Sequence, residues 1–287
     1  MSPRRPAQPR RGRPGLPSRL ERRNALFQQW QALLGNRTKR TRSGEMLIQG
    51  VRPLTQAIAH GIEIRALLSD GRENPSTWAQ QLLADPPGPV VQVAPELMAE
   101  LGEREDGAPE LLAIAALPAD DLTRLDAAGP DGVVVVFDRP TGPGNIGSLV
   151  RSADALGAQG VIITGHAADP WDPAAIRAST GSMFALPVLR LASHRDVIDW
   201  VQQRRAAGEE RRIIGLDEAC GHLLADTGLT GGLVLVVGNE TVGMSSAWRE
   251  ACDVIAEIPM QGSASSLNAA AAGSIALYEI DRQRRKA

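Results

Sequence analysis

The sequence contains few aromatic residues, two cysteines and no long hydrophobic run. Aromatics make up 3% of its 287 residues, so base stacking cannot be a widespread means of binding a ligand. Cys220 and Cys252 are far apart and form no metal spacing or disulfide framework, which predicts no bound metal and a reducing, cytoplasmic location. No apolar run approaches the ~18 residues of a membrane helix, and none follows the N-terminal arginines, so we expect neither a membrane span nor a secretory signal.

The basic residues are concentrated at the N-terminus. Residues 1–42 contain twelve Arg and Lys and one acid, Glu21, whereas the rest of the chain has 19 basic and 32 acidic residues. A basic arm on an acidic body is typical of a protein that binds a polyanion, and nucleic acid is the usual one. A solubilising tail remains an alternative, as does a general preference for arginine, since only two of the basic residues are lysine.

Short apolar segments alternate with helical patterns and predict two α/β domains. From the N-terminus, the expected units are a basic arm and helix (1–42), a smaller α/β domain (43–117), a linker (118–131) and a larger α/β domain (132–287). Apolar residues at helical spacing predict that the helix of the arm covers residues 18–34. The larger domain begins with a continuous apolar run at 133–137, which is typical of a buried parallel strand.

Residues 142–147 match the pattern G-x-G-x-x-G between a predicted strand and a predicted helix, which is the setting of the dinucleotide-binding fingerprint. That fingerprint expects an acid about 20 residues further on, at the end of the second strand. Here the second strand ends in Thr164-Gly165-His166, with no acid before Asp169. A nicotinamide or flavin enzyme therefore remains one alternative, and a tight strand-to-helix turn is the other.

Three segments place polar residues after predicted strands. The first, 138–153, has Asn145 at a helix start, where it can cap the helix, and Arg151 further along among apolar neighbours. These neighbours indicate a covered helix, in which an arginine needs an anionic partner. The second segment, 238–245, reads G-N-E-T-V-G-M-S, and the third, 258–268, reads I-P-M-Q-G-S-A-S-S-L-N. The polar groups of the second segment follow a buried strand, at the carboxyl end where open parallel sheets place ligands.

Taken together and in this order, the three segments resemble the SpoU (TrmH) family of RNA ribose 2′-O-methyltransferases, of the SPOUT class. They carry N-x-G-x-x-x-R-x-A, then G-N-E-x-x-G-M-S, then I-P-M-x-G-x-x-x-S-L-N. Residues 177–182 resemble a further signature of that family. Residues 45–53 resemble the opening of its ribosomal-protein-like RNA-binding domain. As a whole, the chain is most similar to the avilamycin-resistance type of 23S rRNA methyltransferase.

The resemblance implies a trefoil knot in the C-terminal parallel-sheet domain, and a homodimer whose active site lies near the interface. S-adenosylmethionine would be the cofactor, bound in the knot by Gly238, Ile258, Met260 and Leu267. The implied reaction transfers a methyl group to a ribose 2′-hydroxyl, a poor nucleophile that needs deprotonation or close positioning.

The resemblance also implies the catalytic residues, namely Arg151 with Asn145, Glu240, Ser266 and Asn268 around it. Arg151 has two possible roles. It could hold a phosphate and stabilise the forming alkoxide, or it could accept the proton in a buried site. Because arginine normally stays charged, we favour the first role.

The expected substrate is 23S rRNA, with uridine as the expected nucleotide and antibiotic resistance as a possible consequence. The basic arm would supply phosphate contacts without reading sequence. The expected RNA-binding residues are Arg10, Arg11, Arg22, Arg23, Arg37, Lys39, Arg40 and Arg52. Two alternatives stay open, a tRNA 2′-O-methyltransferase and a non-catalytic RNA-binding or ribosome-assembly protein on the same scaffold.

Overall fold

The computed structural model describes residues 15–103, 107–218 and 220–286. The N-terminal unit contains five strands, β1 (Arg19–Leu20), β2 (Glu45–Gln49), β3 (Ile64–Ser69), β4 (Val90–Val93) and β5 (Leu111–Ala116). Its helices are α1 (Ala25–Gly35), α2 (Arg37–Ser43), α3 (Val51–Ala59), α4 (Thr77–Ala84) and α5 (Pro95–Gly102). The strands form a mixed sheet in the order β1-β4-β3-β5-β2.

The C-terminal unit contains six strands, β6 (Val133–Asp138), β7 (Gly160–Thr164), β8 (Val188–Leu191), β9 (Arg211–Leu216), β10 (Gly232–Val237) and β11 (Val254–Ala256). Its helices are α6 (Pro143–Ala155), α7 (Pro173–Ser179), α8 (Ser182–Ala185), α9 (His194–Ala206), α10 (Ser246–Ala251) and α11 (Ala269–Arg284). The strands form a parallel sheet in the order β11-β9-β10-β6-β7-β8. Short 3₁₀ helices cover Leu122–Ala128, within the expected linker, and Leu224–Asp226.

The predicted helix over residues 18–34 is wrong in its first part. Arg19–Leu20 is a strand that pairs with β4, and the buried Leu20 packs in the core of the small sheet. The helix α1 starts later because Asn24 is its N-cap and accepts a hydrogen bond from the amide of Phe27 (3.0 Å). The helix α2 follows directly and was missed, since R-T-K-R-T-R-S has no apolar periodicity.

One continuous apolar core joins the two units. Met46 and Ile48 of β2 and Leu54 of α3 belong to the same buried cluster as Ile176 of α7 and Met183 of α8. The smaller sheet is thus fixed against the larger domain by hydrophobic packing. No helix within the described ranges is long and apolar enough to cross a membrane.

The strands β10, β6 and β7 are neighbours, and their carboxyl ends lie at one edge. Val237 is in register with Phe137, and Asp138 is in register with Thr164. The turns that follow β6 and β10 therefore lie side by side. The chain that leaves β11 passes the loop after β9, where Glu257 bonds to the backbone of His222 and Leu224, before α11 packs on α6. The resemblance places the knot in this part of the chain.

The helices α6 and α7 cross at Gly147 in very close contact. A Cβ at this position would lie 2.2 Å from the carbonyl oxygen of Ala175 and 2.9 Å from the amide nitrogen of Ser179. Gly147 lies inside α6, so it permits close packing of the two helices and is not part of the strand-to-helix turn that the sequence predicted.

We predict that Gly147→Ala destabilises the protein by roughly 1–3 kcal/mol, because the backbone of α7 must move to admit the methyl group. Denaturant unfolding measures the change. The matched control is Gly144→Ala on the same helix, where a Cβ meets nothing within 4 Å. The control should be neutral or slightly stabilising. Equal stability of the two variants would contradict the packing argument.

Candidate active site

A network of hydrogen bonds joins the three polar segments at the carboxyl edge of the large sheet. The Nδ2 of Asn145 donates to Oε1 of Glu240 (2.9 Å), and the Nδ2 of Asn268 donates to Oδ1 of Asn145 (3.1 Å). The second oxygen of Glu240 accepts from both the amide and the hydroxyl of Thr141, each at 3.1 Å. The side chains of Asn145, Glu240 and Asn268, which the sequence predicted to meet, are therefore in contact.

The structure corrects the expected capping role of Asn145. The N-cap position of α6 is Gly142, which makes no side-chain bond, and Asn145 lies inside the first turn with its amide directed to Glu240. Pro143 occupies the first helical position, so α6 begins before Asn145, and the Oδ1 of Asn145 accepts from Asn268 instead of a backbone amide. Asn268 is the residue that caps a helix here, since its Oδ1 accepts from the amides of Ala270 and Ala271 at the start of α11.

The Glu240 carboxylate is held in its ionised form. Burial alone would raise the pKa of Glu240, but hydrogen bonds from Asn145, from its own backbone and from Thr141 together lower it below the ordinary value. The stability that these bonds supply is thus present above the ordinary carboxyl range and is lost as the pH falls through the lowered pKa. At neutral pH this group accepts hydrogen bonds and is not a proton donor.

The residues that fix the turn carrying Glu240 were not among those predicted from the sequence. The buried carboxylate of Asp138 accepts from the amide of Ser245 (2.9 Å) and from the hydroxyl of Thr164 (3.3 Å). The Nδ2 of Asn239 donates to the carbonyl of Arg139 (2.6 Å), and Arg139 donates back to the carbonyl of Gly243 (3.1 Å). An Asp-Arg pair that ends an otherwise apolar strand was the available signal.

Arg151 is exposed, contrary to the expected covered position. It makes no hydrogen bond or ion pair with any residue in the described ranges. Its apolar neighbours Leu149 and Val150 are buried, but they lie on other faces of α6. Arg151 also stands six residues from Asn145, about 9 Å along the helix axis. Within one chain, its guanidinium is therefore free to meet a phosphate or a second protein chain.

A cavity of about 430 Å³ adjoins the network. It is lined by the four expected cofactor residues Gly238, Ile258, Met260 and Leu267, and by Glu240 and Ser266. Met260 and Leu267 are 38% and 36% exposed there, so apolar side chains face the open space beside backbone groups and a carboxylate. This mixture and volume fit a ligand with apolar and polar parts, such as a nucleoside.

Asp217 and Arg249 also line this cavity and form an ion pair that the sequence analysis missed. Asp217 follows β9 and Arg249 lies on α10, and neither belongs to a quoted motif. Their charges give the cavity a polar wall at the end of β9.

The expected RNA-binding residues differ in their surroundings. Arg10 and Arg11 lie outside the described residues. Those on the surface are Arg22, Arg23, Arg37, Lys39 and Arg52. Arg23 pairs with Glu100 (2.6 Å), and Arg37 donates to the carbonyl of Ala167 (2.9 Å).

Arg40 is the exception, and its assignment to RNA binding was wrong. It is 1% exposed and forms an ion pair with Asp169 (2.7 Å), so it is not available to a phosphate on the surface. The unpredicted helix α2 turns this one arginine of the basic arm inward.

Two family models match the chain. The model of the SpoU rRNA Methylase family matches residues 132–278, and that of the SpoU L30e-like domain matches residues 24–113. The larger match contains the whole polar network and all four expected cofactor residues.

One named relative and two solved structures match more than nine tenths of the chain. A 23S rRNA (uridine(2479)-2′-O)-methyltransferase of Streptomyces viridochromogenes is 53% identical over 93% of this chain and 92% of its own length. The crystal structure of the SpoU methyltransferase AviRb from the same organism, in complex with AdoMet, matches with a TM-score of 0.88 over 92% of this chain and 99% of that one. An AdoMet-bound rRNA methyltransferase from Sinorhizobium meliloti matches with a TM-score of 0.78 at 26% identity, over 93% of this chain and 98% of that one. The chain belongs to the SpoU rRNA methylase family.

Proposed function

We propose that this protein transfers a methyl group from S-adenosylmethionine to a ribose 2′-hydroxyl of 23S rRNA, with a uridine as the target. The observation that carries the proposal is the network of Asn145, Glu240 and Asn268 beside a cavity of nucleoside size. A relative that is 53% identical along the chain is named as such an enzyme, which supports the substrate and the nucleotide. Ribosomal RNA as substrate places the reaction in the cytoplasm.

The cavity holds the cofactor through Gly238, Ile258, Met260 and Leu267. Apolar side chains and main-chain groups would contact the nucleoside part of the cofactor, so its binding does not require aromatic residues, which are scarce in this chain. When bound, the cofactor supplies a methyl group on a positively charged sulfur. Among the lining residues, the carboxylates of Asp217, Glu218 and Glu240 outnumber the one cation, Arg249, so the cavity favours a cationic ligand.

The residues of the chain contribute alignment and charge. Glu240 fixes the amide of Asn145, and Asn268 fixes its other end, so the amide keeps one orientation toward the ribose. Arg151 holds the phosphate next to the target ribose and stabilises the oxygen as negative charge develops on it. The exposed position of Arg151 supports this role over that of a base, because arginine remains a cation in proteins.

A second copy of the chain completes the site. The helix α11 packs along α6, where the hydroxyls of Ser274 and Ser152 are 2.7 Å apart, and it leaves Ile275 and Tyr278 exposed by 42% and 59%. Exposed apolar side chains on the helix next to Arg151 favour a symmetric helix pairing that covers them.

The transfer assay uses labelled S-adenosylmethionine with unmodified total RNA, followed by separation of the RNA species. We expect label in 23S rRNA alone. Label in tRNA alone would support the tRNA alternative, and binding of cofactor and RNA without any transfer would support a non-catalytic protein. Both results would contradict the proposal.

Arg151→Ala should lower methyl transfer by about 10²-fold or more, the usual cost of removing one group that stabilises developing charge. Cofactor affinity, measured by calorimetry, should stay unchanged because Arg151 does not line the cavity. Arg195→Ala, at another exposed arginine, is the control. If Arg151→Ala abolishes cofactor binding, the proposed role is wrong.

Glu240→Gln should reduce the rate of methyl transfer by roughly tenfold or more, or about 1.4 kcal/mol in the barrier. The new amide group would place a donor against the amide and hydroxyl of Thr141, which both donate at present. Because the pKa of Glu240 is lowered, the wild-type rate between pH 6 and 9 should show no titration of this group. Glu250→Gln, on the exposed face of α10, is the control. A Glu240→Gln enzyme with the wild-type rate would exclude a role for the network.

Replacing Ile275 and Tyr278 together by glutamate should give a monomer with little activity. Light scattering after gel filtration measures the mass, and circular dichroism checks the fold. A wild-type protein that is monomeric and fully active would refute the dimeric site.

A further inference from the structure

Arg40 is buried between the unit that contains β1 to β5, here called the RNA-binding unit, and the methylase domain, and each nitrogen of its guanidinium donates at least one hydrogen bond. Its Nε donates to Oδ2 of Asp169 (2.7 Å), and its Nη2 donates to Oδ2 of Asp172 (3.2 Å). Its Nη1 donates to the carbonyls of Leu33 (2.6 Å) and Leu34 (2.9 Å) at the end of α1. The side chain thus connects α1 and α2 to a loop of the other unit, about 130 residues away in sequence.

A second arginine completes the buried cluster. Arg190 reaches the other oxygen of Asp169 (3.3 Å) and pairs with Asp120 (3.0 Å), while the amide of Trp171 also donates to Asp169. Both carboxylate oxygens of Asp169 are therefore satisfied. Such buried ion pairs add little net stability compared with apolar packing, but they are costly to break once formed, and in several proteins they select one arrangement of the parts they join. The cluster is better suited to fixing an orientation than to holding the fold together.

The carboxylate of Asp172 connects the cluster to α6 through α7. The Oδ1 of Asp172 accepts from the amide of Ala174 and caps α7. The helix α7 crosses α6 at Gly147, where a Cβ would be 2.2 Å from a backbone oxygen, so the two helices cannot shift independently. Because α6 carries Asn145 and Arg151, the position of Arg40 is coupled to that of the active site.

Three further basic residues of α2, Arg37, Lys39 and Arg42, are exposed around the buried Arg40 and form the basic surface of this helix. The guanidinium of Arg37 donates a hydrogen bond to the carbonyl of Ala167, in the loop after β7. That loop follows the strand next to β6, at the same sheet edge as Thr141 of the network. Phosphates bound on this surface would hold the RNA at the edge of the active site.

We propose that Arg40 is a positioning residue for RNA. It locks α2 and the RNA-binding unit onto the methylase domain, so that RNA held by the basic surface presents one particular ribose to Asn145 and Arg151. The inference rests on the proposed function and deepens it, because it assigns the choice of ribose to a contact that touches neither RNA nor cofactor.

The test compares Arg40→Met, which keeps the volume and removes the charge, with the control Arg42→Met on the exposed face of the same helix. For each protein, cofactor affinity, kcat and KM for 23S rRNA, and the methylated positions are measured well below the melting temperature. Arg40→Met should bind the cofactor as the wild type does, lose roughly tenfold or more in kcat/KM, and methylate neighbouring riboses as well. Arg42→Met should weaken RNA binding and its salt dependence but keep the single position.

Two further measurements keep the inference falsifiable. Asp172→Asn removes one charge of the cluster while its Oδ1 still caps α7, and it replaces Arg40→Met in the test if that variant fails to fold. It should also methylate neighbouring riboses, but to a smaller extent. Footprints of bound 23S rRNA should shift in Arg40→Met relative to the wild type, and this readout does not depend on methyl transfer.

A lower melting temperature with unchanged kcat/KM, position and footprint would overturn the inference and leave Arg40 a purely structural residue. Absence of transfer by the wild type would overturn the proposed function, while the footprints would still decide the role of Arg40.

Discussion

The rest of the site depends on the hydrogen bonds that the carboxylate of Glu240 accepts. One oxygen receives the amide of Asn145 on α6, the other receives the amide and hydroxyl of Thr141, and Asn145 in turn holds Asn268 at the start of α11. Three segments that are far apart in sequence thereby take one arrangement. The carboxylate can do this only while it is ionised, and the same hydrogen bonds that it accepts keep its pKa low.

The parallel sheet supplies the geometry that makes this interaction possible. Asp138 ends the central strand and binds the amide of Ser245, so the turn that carries Glu240 is fixed against the neighbouring strand. The close crossing at Gly147 sets α6 against α7, and α7 is capped by a carboxylate of the Arg40 cluster. The smaller N-terminal unit, the helix α6 and the cavity beside Glu240 are therefore connected through short, direct contacts.

The sequence predicted much of this arrangement, because the carboxyl ends of parallel strands must share an edge. The resemblance to the SpoU family implied that Asn145, Glu240 and Asn268 share one site, and the rule explains why the segments after β6 and β10 meet at this edge. The failures have physical causes. The helix α2 lacks apolar residues, so periodicity did not detect it, and Arg40 was assigned to the surface. Apolar neighbours show that a helix is packed, but they do not show which face a given residue occupies, so Arg151 was wrongly expected to be covered. Asn145 was wrongly expected to cap α6 because the helix begins two residues earlier, at Pro143, which leaves the side chain of Asn145 free to bind Glu240, 95 residues away.

The central claim is that this network performs methyl transfer to a ribose oxygen. Mass spectrometry of nucleosides from 23S rRNA, before and after incubation with the protein and S-adenosylmethionine, tests it most directly. We expect one 2′-O-methylated nucleoside to appear, whose mass increment stays on the ribose after cleavage of the glycosidic bond. A methyl group on the base would contradict the account, because the site would then serve a different acceptor atom.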